Sequence, residues 1–396
     1  MNVEKEYIEG MLSIMNVDKE YVGDTQEYIK TKMYNECRIY AVKRWILATQ
    51  NIKIIRLFIY WGELNMLRIP EKISLANLPT KIEKLDRLSK ELGGPSIYVK
   101  RDDQTGTELS GNKVRKLEYS IKEAMDKGCD YLITCGGIQS NHARATAAAA
   151  TKMGMKSCLL LRGSMNSESE IDGNLFINKL LGAEIRFVTK EDYSNKRLEI
   201  MKEISAEKEL LGYKPYIIPE GASNGIGTFG YYNALEEIIT QEKEMGIKFD
   251  AIFIATGSGG TYSGLFLANK LHGDHSTIFG VNVCDDAEYF RNRIEEILYE
   301  SMEYIDEKID FTKDEINIVD GYVGRGYALS RPEEISFIKK LAALEGLILD
   351  PVYTGKGMYG LTEEIRKGNF KEFKNILFIH TGGLFGIFPQ KSLFEY

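Results

Sequence analysis

The sequence predicts an α/β protein, in which a parallel sheet is covered by helices. Three observations lead to this prediction. From about residue 66, short apolar runs alternate with amphipathic stretches, glycine-rich bends follow several of the apolar runs, and apolar residues in the amphipathic stretches recur at helical spacing. In such folds, functional residues gather where strands end and helices begin. The bends are therefore the places to look for a site.

The predicted elements alternate regularly along the chain. The helix predicted over 112–128 carries an apolar face and stops at Gly128, and the alanine-rich helix after Gly137 follows a buried strand. Charged helices are predicted over 285–320. The remaining predicted strands, two of them followed by a glycine-rich bend and a helix, lie within 96–103, 130–137, 157–163, 183–188, 216–239, 250–271, 277–283 and 375–383.

Residues 1–65 differ from the rest of the chain. They have mixed charge, few glycines and a short repeat, "MNVEKEY" followed by "MNVDKEY". Two copies are too few for a solenoid. We expect a helical N-terminal extension here, and the sequence does not indicate its role.

Composition excludes several classes of function. The 396 residues carry a net charge of −7 with the two signs interspersed, so no basic stripe for nucleic acid is present. The five cysteines show no disulfide framework, and the four histidines form no zinc pattern. The N-terminus lacks a signal peptide, and no apolar run is long enough to span a membrane. We therefore expect a cytoplasmic protein without a metal site.

A glycine-rich bend within "IATGSGGTYSG" is the first candidate site. Small residues let backbone N–H groups converge on an anion, and the helix that follows adds its dipole. The spacing matches neither the P-loop nor the GxGxxG pattern. Hydroxyl groups between the glycines favour phosphate binding over a turn that merely needs glycine. The residues concerned are Thr256, Gly257, Ser258, Gly259, Gly260 and Thr261.

Lys113 and Lys116 begin a predicted helix, where the dipole disfavours cations. Taken alone, a solvated basic face is the more common explanation. Combined with an anion-binding loop elsewhere, the pair suits a pyridoxal phosphate site, in which one lysine forms a Schiff base and the other contacts the phosphate.

Three polar residues, Ser140, Asn141 and His142, open the alanine-rich helix. Serine and asparagine are good N-caps, but one cap is sufficient. The free N–H groups at this helix start would hold a carboxylate well. A histidine alone is more often structural than catalytic, and the same holds for Tyr327 and Tyr353, which lie in glycine-bounded loops.

Together these segments resemble the D-cysteine desulfhydrase and 1-aminocyclopropane-1-carboxylate deaminase family of pyridoxal-phosphate enzymes. The segments "SGNKVRKLEY", "GGIQSNHAR", "PEGASNGIGTFGY", "TGSGGTYSG", "GYALSRPEE", "LDPVYTGKGMYG" and "IHTGG" occur in the family's order and span roughly residues 66–390. The resemblance implies fold type II, with two three-layer αβα domains. The large domain would comprise 66–115 and 226–396, and the small domain 116–225. It also implies a homodimer.

The resemblance implies a role for each candidate. Lys113 would be the Schiff-base lysine and Lys116 a phosphate contact, with the loop from Thr256 to Thr261 around the phosphate. Asn141 would face the 3′-oxygen of the cofactor. Ser140, Asn141 and His142 would lie near the carboxylate of a small amino-acid substrate, and Ser140, Tyr327 and Tyr353 would take part in catalysis.

Two positions separate the activities of this family. Where the deaminases carry glutamate after "VY", this chain has Thr354, and where they tend to have leucine it has Thr381. A carboxylate keeps the pyridine nitrogen protonated, whereas a hydroxyl group gives weaker electron withdrawal. Weaker withdrawal is sufficient when thiolate is the leaving group. We therefore expect D-cysteine desulfhydrase activity, a carbon–sulfur lyase reaction.

Alternatives stay open at this point. Within the family, the substrate could be the cyclopropane amino acid or cysteate. From other classes, the chain could be a non-catalytic phosphate- or nucleotide-binding protein, or an interaction protein acting through residues 1–65.

Overall fold

Two separate sheets organise the part of the chain that the computed structural model describes, residues 68–164 and 171–394. The extension predicted over 1–65 lies outside these residues. The strands are β1 (Ile82–Lys84), β2 (Ser96–Lys100), β3 (Tyr131–Gly137), β4 (Lys156–Arg162), β5 (Glu184–Val188), β6 (Pro215–Ile217), β7 (Ala251–Thr256), β8 (Thr277–Asn282), β9 (Asn317–Val319) and β10 (Asn375–Ile379). The helices are α1 (Asp86–Leu92), α2 (Asn112–Asp126), α3 (Asn141–Lys152), α4 (Gly173–Leu180), α5 (Lys190–Leu210), α6 (Gly225–Met245), α7 (Gly260–Leu271), α8 (Ala287–Met302), α9 (Pro332–Glu345) and α10 (Thr354–Arg366).

The larger sheet has six strands in the order β1-β2-β10-β7-β8-β9. Only β1 pairs antiparallel to its neighbour. One face buries apolar residues of α1, α9 and α10, among them Leu88, Leu341 and Leu361, against Val99 and Phe253. Helix α7 packs on the opposite face: Phe279 packs on the face of Phe253, whereas a Cβ atom on the next residue, Gly280, would lie 3.1 Å from the ring of Tyr262 in α7. The sheet is therefore the middle of three layers.

The smaller sheet has four parallel strands in the order β5-β4-β3-β6. This sheet is also the middle of three layers. Strand β4 shows this, because its side chains alternate between the two faces of the sheet. Cys158 and Leu160 join the core formed with α5, whereas Leu159 and Leu161 pack against α3 and α4. Burial on both faces explains why this strand is apolar throughout.

The predicted α/β class and the alternation of strands and helices are confirmed. The prediction of charged helices over 285–320 is correct for α8 but misses β9, a three-residue edge strand. The sequence analysis also does not predict β1, another three-residue edge strand. Strands this short carry too little apolar pattern to be recognised. The domain boundaries at 115/116 and 225/226 stay a prediction, although the first of them falls inside α2.

A buried ion cluster fixes α2. Arg115 lies at 1 % exposure and donates from Nε and Nη2 to Asp102, both at 2.9 Å, and from Nη1 to Glu237 at 2.9 Å. Lys100 donates to Glu237 at 2.6 Å. Although burial alone would raise the pKa of Asp102, Arg115 and Lys100 hold it below its ordinary value. The cluster ties the start of α2 to the end of β2 and to α6.

Among the residues described, no helix has both the length and the apolar character needed to cross a membrane.

Replacing Arg115 by methionine should destabilise the protein strongly. The change removes the charged partner that bonds both oxygens of fully buried Asp102 and one of the two cations that bond Glu237, which costs about 3–5 kcal/mol. Equilibrium unfolding in urea measures the loss. The control is Lys340→Met, which removes an exposed pair with Glu91 and should cost less than about 1 kcal/mol. Equal losses for the two variants would contradict a structural role for the cluster.

Candidate active site

One pocket collects the carboxyl ends of strands from both sheets. Its lining residues surround about 740 Å³ of space, open solvent included. The bends after β3, β6, β7 and β10 and the start of α2 all contribute to it. The residues lining it are Asn112, Lys113, Ser140, Asn141, His142, Glu220, Gly221, Ile254, Ala255, Thr256, Gly257, Ser258, Gly259, Thr261, Tyr262, Tyr327, Tyr353, Thr381 and Gly382.

The two lysines of α2 have different surroundings. Lys113 Nζ reaches the pocket and donates to Asn112 Oδ1 at 3.0 Å. Burial lowers the pKa of Lys113 to about 8, against the opposing effect of the Asp350 and Glu220 carboxylates. Lys116 is fully buried, and burial together with the charge of Lys113 lowers its pKa well below the ordinary value. A solvated basic face is therefore the wrong interpretation of this cluster.

Lys116 lies behind the glycine-rich bend. Its Nζ donates to Ser223 Oγ at 2.8 Å, and Ser223 Oγ lies 2.8 Å from Ser258 Oγ. A Cβ atom on Gly260 would come within 2.8 Å of Lys116 Nζ, so this position has room for glycine alone. The bend is thus held close to a buried cation, with the N–H groups at the start of α7 beside it.

At the start of α3, one polar group caps the helix, and other polar groups have donors that make no hydrogen bond to the residues described. Ser140 Oγ accepts from Ala143 N at 3.1 Å, which is the N-cap bond. Its own hydroxyl hydrogen remains available. Asn141 Oδ1 accepts from Asn174 Nδ2 at 3.0 Å, which leaves the Asn141 amide as a donor. Both residues line the pocket, so they present donors to it.

His142 presents an acceptor. Thr134 Oγ1 donates to Ile218 O at 2.8 Å, and since a hydroxyl group has one hydrogen, His142 Nε2 must donate to Thr134 Oγ1, 2.8 Å away. Burial and the nearby charges of Lys113 and Lys116 lower the pKa of His142 well below its ordinary value, so the ring is neutral. His142 Nδ1 is then an unprotonated nitrogen, buried without a hydrogen-bond partner among residues 68–164 and 171–394.

The two candidate tyrosines lie together. The hydroxyl oxygens of Tyr327 and Tyr353 are 2.5 Å apart. Burial raises the pKa of Tyr327 to about 12, and it raises that of Tyr353 well above the ordinary value. Both phenols are therefore protonated at neutral pH. The loop that carries Tyr327 is held by buried Lys356, whose Nζ donates to Val323 O, Gly326 O and Leu329 O at 2.6, 2.8 and 3.2 Å.

The two threonines that separate the activities of the family differ in position. The Thr354 hydroxyl donates to Asp350 Oδ1 at 2.7 Å and accepts from Asp350 N at 2.9 Å. It belongs to a buried turn and is not part of the pocket lining described above. Thr381 lines the pocket at the end of β10. Of the two residues, Thr381 belongs to the pocket lining and Thr354 does not.

Comparison with known proteins defines the family. The family model described as "Pyridoxal-phosphate dependent enzyme" matches residues 73–382. The chain belongs to this family. It is 43 % identical to a bifunctional D-cysteine desulfhydrase/1-aminocyclopropane-1-carboxylate deaminase of Arabidopsis thaliana, over 80 % of this chain and 79 % of that one. It is 36 % identical to a D-cysteine desulfhydrase of Klebsiella pneumoniae, over 82 % and 97 %. A crystal structure of an ACC deaminase homologue superposes with a TM-score of 0.75, with 38 % identity over 82 % of this chain and 96 % of that one.

The pocket residues fit pyridoxal phosphate, the cofactor of this family. An amine of lowered pKa, Lys113, suits the cofactor aldehyde. In the glycine bend, a Cβ atom on Gly260 would lie 2.8 Å from Ser223 Cα, and Gly259 has a φ of 84°, so both positions favour glycine, as expected for a cradle around the phosphate. Thr256 Oγ1 is buried without a partner among the residues described, so a donor or acceptor is missing beside that bend. These observations name the residues that could hold the cofactor.

Some pocket residues of this pyridoxal-phosphate enzyme escaped the sequence analysis. Asn112 bonds both Lys113 and Thr261, and Glu220 brings a carboxylate to the wall. Ser223 links Lys116 to the glycine bend. Glu220 and Ser223 lie in "PEGAS", a bend after a strand. The position of this segment, after a strand and before a helix, was the signal that could have identified these residues. The sequence pattern does not show which side chains of a bend face inward.

The lowered pKa of Lys113 should be measurable in the cofactor-free protein. A pKa near 8 instead of 10.5 means that more of the amine is neutral, and therefore reactive, at any pH between those values. We expect labelling of Lys113 by an amine reagent, followed by peptide mass spectrometry, to rise with pH about a midpoint near 8. A lysine-containing peptide serves as reference. A midpoint equal to that of the peptide would show that burial does not act on this amine.

Proposed function

We propose that this pyridoxal-phosphate enzyme is a D-cysteine desulfhydrase, which converts D-cysteine and water into pyruvate, hydrogen sulfide and ammonia. The observation that carries the proposal is the position of Thr381 in the pocket lining, with threonine rather than glutamate also at 354. The two similar proteins whose names include D-cysteine desulfhydrase support it.

The ring-nitrogen partner decides between leaving groups. Pyridoxal phosphate, when bound, draws electrons from the α-carbon of an amino acid, so that its proton becomes acidic. We propose that Thr381 Oγ1 donates to the ring nitrogen, whereas Thr354 supports this wall through Asp350. A hydroxyl donor leaves the nitrogen unprotonated and limits electron withdrawal. Expulsion of thiolate tolerates this limit better than opening of a cyclopropane ring does.

Lys113 is the proposed covalent anchor of the cofactor and the proposed base at the α-carbon. Its pKa near 8 leaves a useful fraction of neutral amine at physiological pH. Tyr353 and Tyr327 suit the opposite task, since both stay protonated. Their paired hydroxyl groups are the proposed proton donors to the departing sulfur. Ser140 is the proposed catalytic hydroxyl on the other side of the pocket.

Binding is assigned to the helix starts. We propose that Lys116, with the bend from Thr256 through Gly257, Ser258, Gly259 and Gly260 to Thr261, holds the cofactor phosphate. The Ser140 hydroxyl, the Asn141 amide and the N–H groups of α3 hold the substrate carboxylate, and Asn141 also faces the 3′-oxygen of the cofactor. His142 Nδ1, being an acceptor, takes a hydrogen bond from the substrate rather than donating to its carboxylate.

A second candidate is deamination of 1-aminocyclopropane-1-carboxylate. It is favoured by the bifunctional name of the Arabidopsis relative and by the similarity to the crystal structure of an ACC deaminase homologue. We also propose that the enzyme is a cytoplasmic homodimer, as the sequence resemblance and the cysteine usage imply.

A panel of substrates tests the proposed function. Sulfide, pyruvate, 2-oxobutyrate and ammonia are measured with D-cysteine, L-cysteine, cysteate and the cyclopropane amino acid. We expect the wild type to show its highest kcat/KM with D-cysteine. The variant Lys113→Ala should turn over none of these substrates and should not retain the yellow cofactor. The control Lys122→Ala changes a lysine of the same helix that pairs with Asp126. A higher kcat/KM for the cyclopropane amino acid would establish the second candidate instead.

The two threonines should respond differently to loss of their hydroxyl groups. Thr381→Val should lower kcat by about 10- to 100-fold, because the buried ring nitrogen loses its hydrogen-bond donor, with the melting temperature nearly unchanged. Thr354→Val leaves Asp350 with one donor fewer in a buried turn, and should lower the melting temperature. Calorimetry and steady-state kinetics measure both. The reverse pattern would move the ring-nitrogen contact to Thr354.

A further inference from the structure

Glu220 is the one acidic side chain among the described residues that line the pocket. It opens a single 3-10 turn between β6 and α6. The next residue, Gly221, has a positive φ of 69°, and a Cβ atom there would lie 3.4 Å from Lys113 Cε. The Glu220 turn therefore lies against the lysine side chain, where the reacting α-carbon of a substrate must come.

The charge of Glu220 has no ion-pair partner within 4.0 Å among residues 68–164 and 171–394. Arg162, a cation at the end of β4, is used elsewhere. Its guanidinium lies over the rings of Tyr193 and Tyr327, 5.3 and 5.1 Å from their centroids, and Arg162 does not line the pocket. Among these residues the carboxylate of Glu220 is therefore held in no salt bridge, and its charge in the pocket is balanced only in part, by the more distant amine of Lys113.

Several pocket groups respond to this charge. After burial and the effect of Asp350, the Glu220 carboxylate is the next influence on the pKa of Lys113, which it raises. It also adds to the effect of burial in raising the pKa of Tyr327 and of Tyr353. Glu220 and Asp350 are therefore both sources of negative potential near these groups, and of the two only Glu220 belongs to the pocket lining.

A substrate brings its own charges to this pocket. The proposed sites for the phosphate and the substrate carboxylate are the positive starts of α7 and α3, so both anions are accommodated there. A third anion, on the β-carbon, would lie beside Tyr327 and Tyr353, the proposed donors to the departing sulfur, where the charge of Glu220 also acts. Like charges at short separation in a pocket of low effective dielectric constant repel strongly.

We propose that Glu220 excludes amino acids with an anionic side chain, and so restricts the enzyme to neutral or cationic side chains. The inference rests on the proposed function in that it takes the pocket as an amino-acid site. Glu220 would then disfavour cysteate, whose sulfonate is anionic, and would accept cysteine in its neutral thiol form.

The test uses the enzyme with pyridoxal phosphate bound and two probes that differ in charge but hardly in shape, D-asparagine and D-aspartate. Isothermal titration calorimetry gives both dissociation constants. We expect the wild type to bind D-asparagine at least about tenfold more tightly than D-aspartate. The isosteric variant Glu220→Gln should reduce this ratio to about twofold.

The control is Glu199→Gln, which makes the same change in net charge at an exposed position of α5 and should keep the wild-type ratio. As a second measurement, the ratio of kcat/KM for D-cysteine to that for D-cysteate should fall in Glu220→Gln. An unchanged binding ratio in Glu220→Gln, or no binding of either probe to the wild type, overturns the proposal. If the probes discriminate as expected but D-cysteine is not turned over, the desulfhydrase function fails while the role of Glu220 stands.

Discussion

The buried pairing of Arg115 with Asp102 and Glu237 is the constraint on which the site depends. It joins the end of β2, the first turn of α2 and the middle of α6, three elements far apart in sequence. Side chains two positions apart on a helix point to nearly opposite sides. Fixing Arg115 on one side of α2 therefore aims Lys113 at the pocket. In the sequence, Arg115 looks like part of a solvated basic face. In the structure, it is the residue that fixes the positions of Lys113 and Lys116.

Buried cations recur around the pocket, each with a different set of partners. Lys116 reaches Ser223 behind the glycine bend, and Lys356 binds three carbonyl groups of the loop that carries Tyr327. Arg144, one turn into α3, binds Ser110 O and Asn174, and so links the loop before α2 to α4. Burying a charge is costly unless such bonds satisfy it. These side chains therefore make the loops around the pocket rigid.

The electrostatics of the pocket separate its tasks. Burial lowers the pKa values of Lys113 and His142 and raises those of the two tyrosines, so an amine base, a neutral acceptor and two phenol donors coexist at one pH. The helix starts supply positive potential where we propose that the cofactor phosphate and the substrate carboxylate bind. Glu220 adds a negative charge to another part of the pocket lining.

The sequence by itself determined the α/β class, the order of strands and helices, and the bends that meet in the pocket, because apolar periodicity and glycine position are local properties. It also determined the family, through motifs that keep their order over most of the chain. Only the tertiary structure decided that Arg115 and Lys116 are buried, that the Thr354 hydroxyl bonds Asp350 while Thr381 lines the pocket, and that Glu220 joins the lining. Burial and the direction of a side chain depend on contacts with elements that are distant in sequence. A local sequence pattern does not show which distant elements will pack against a given residue.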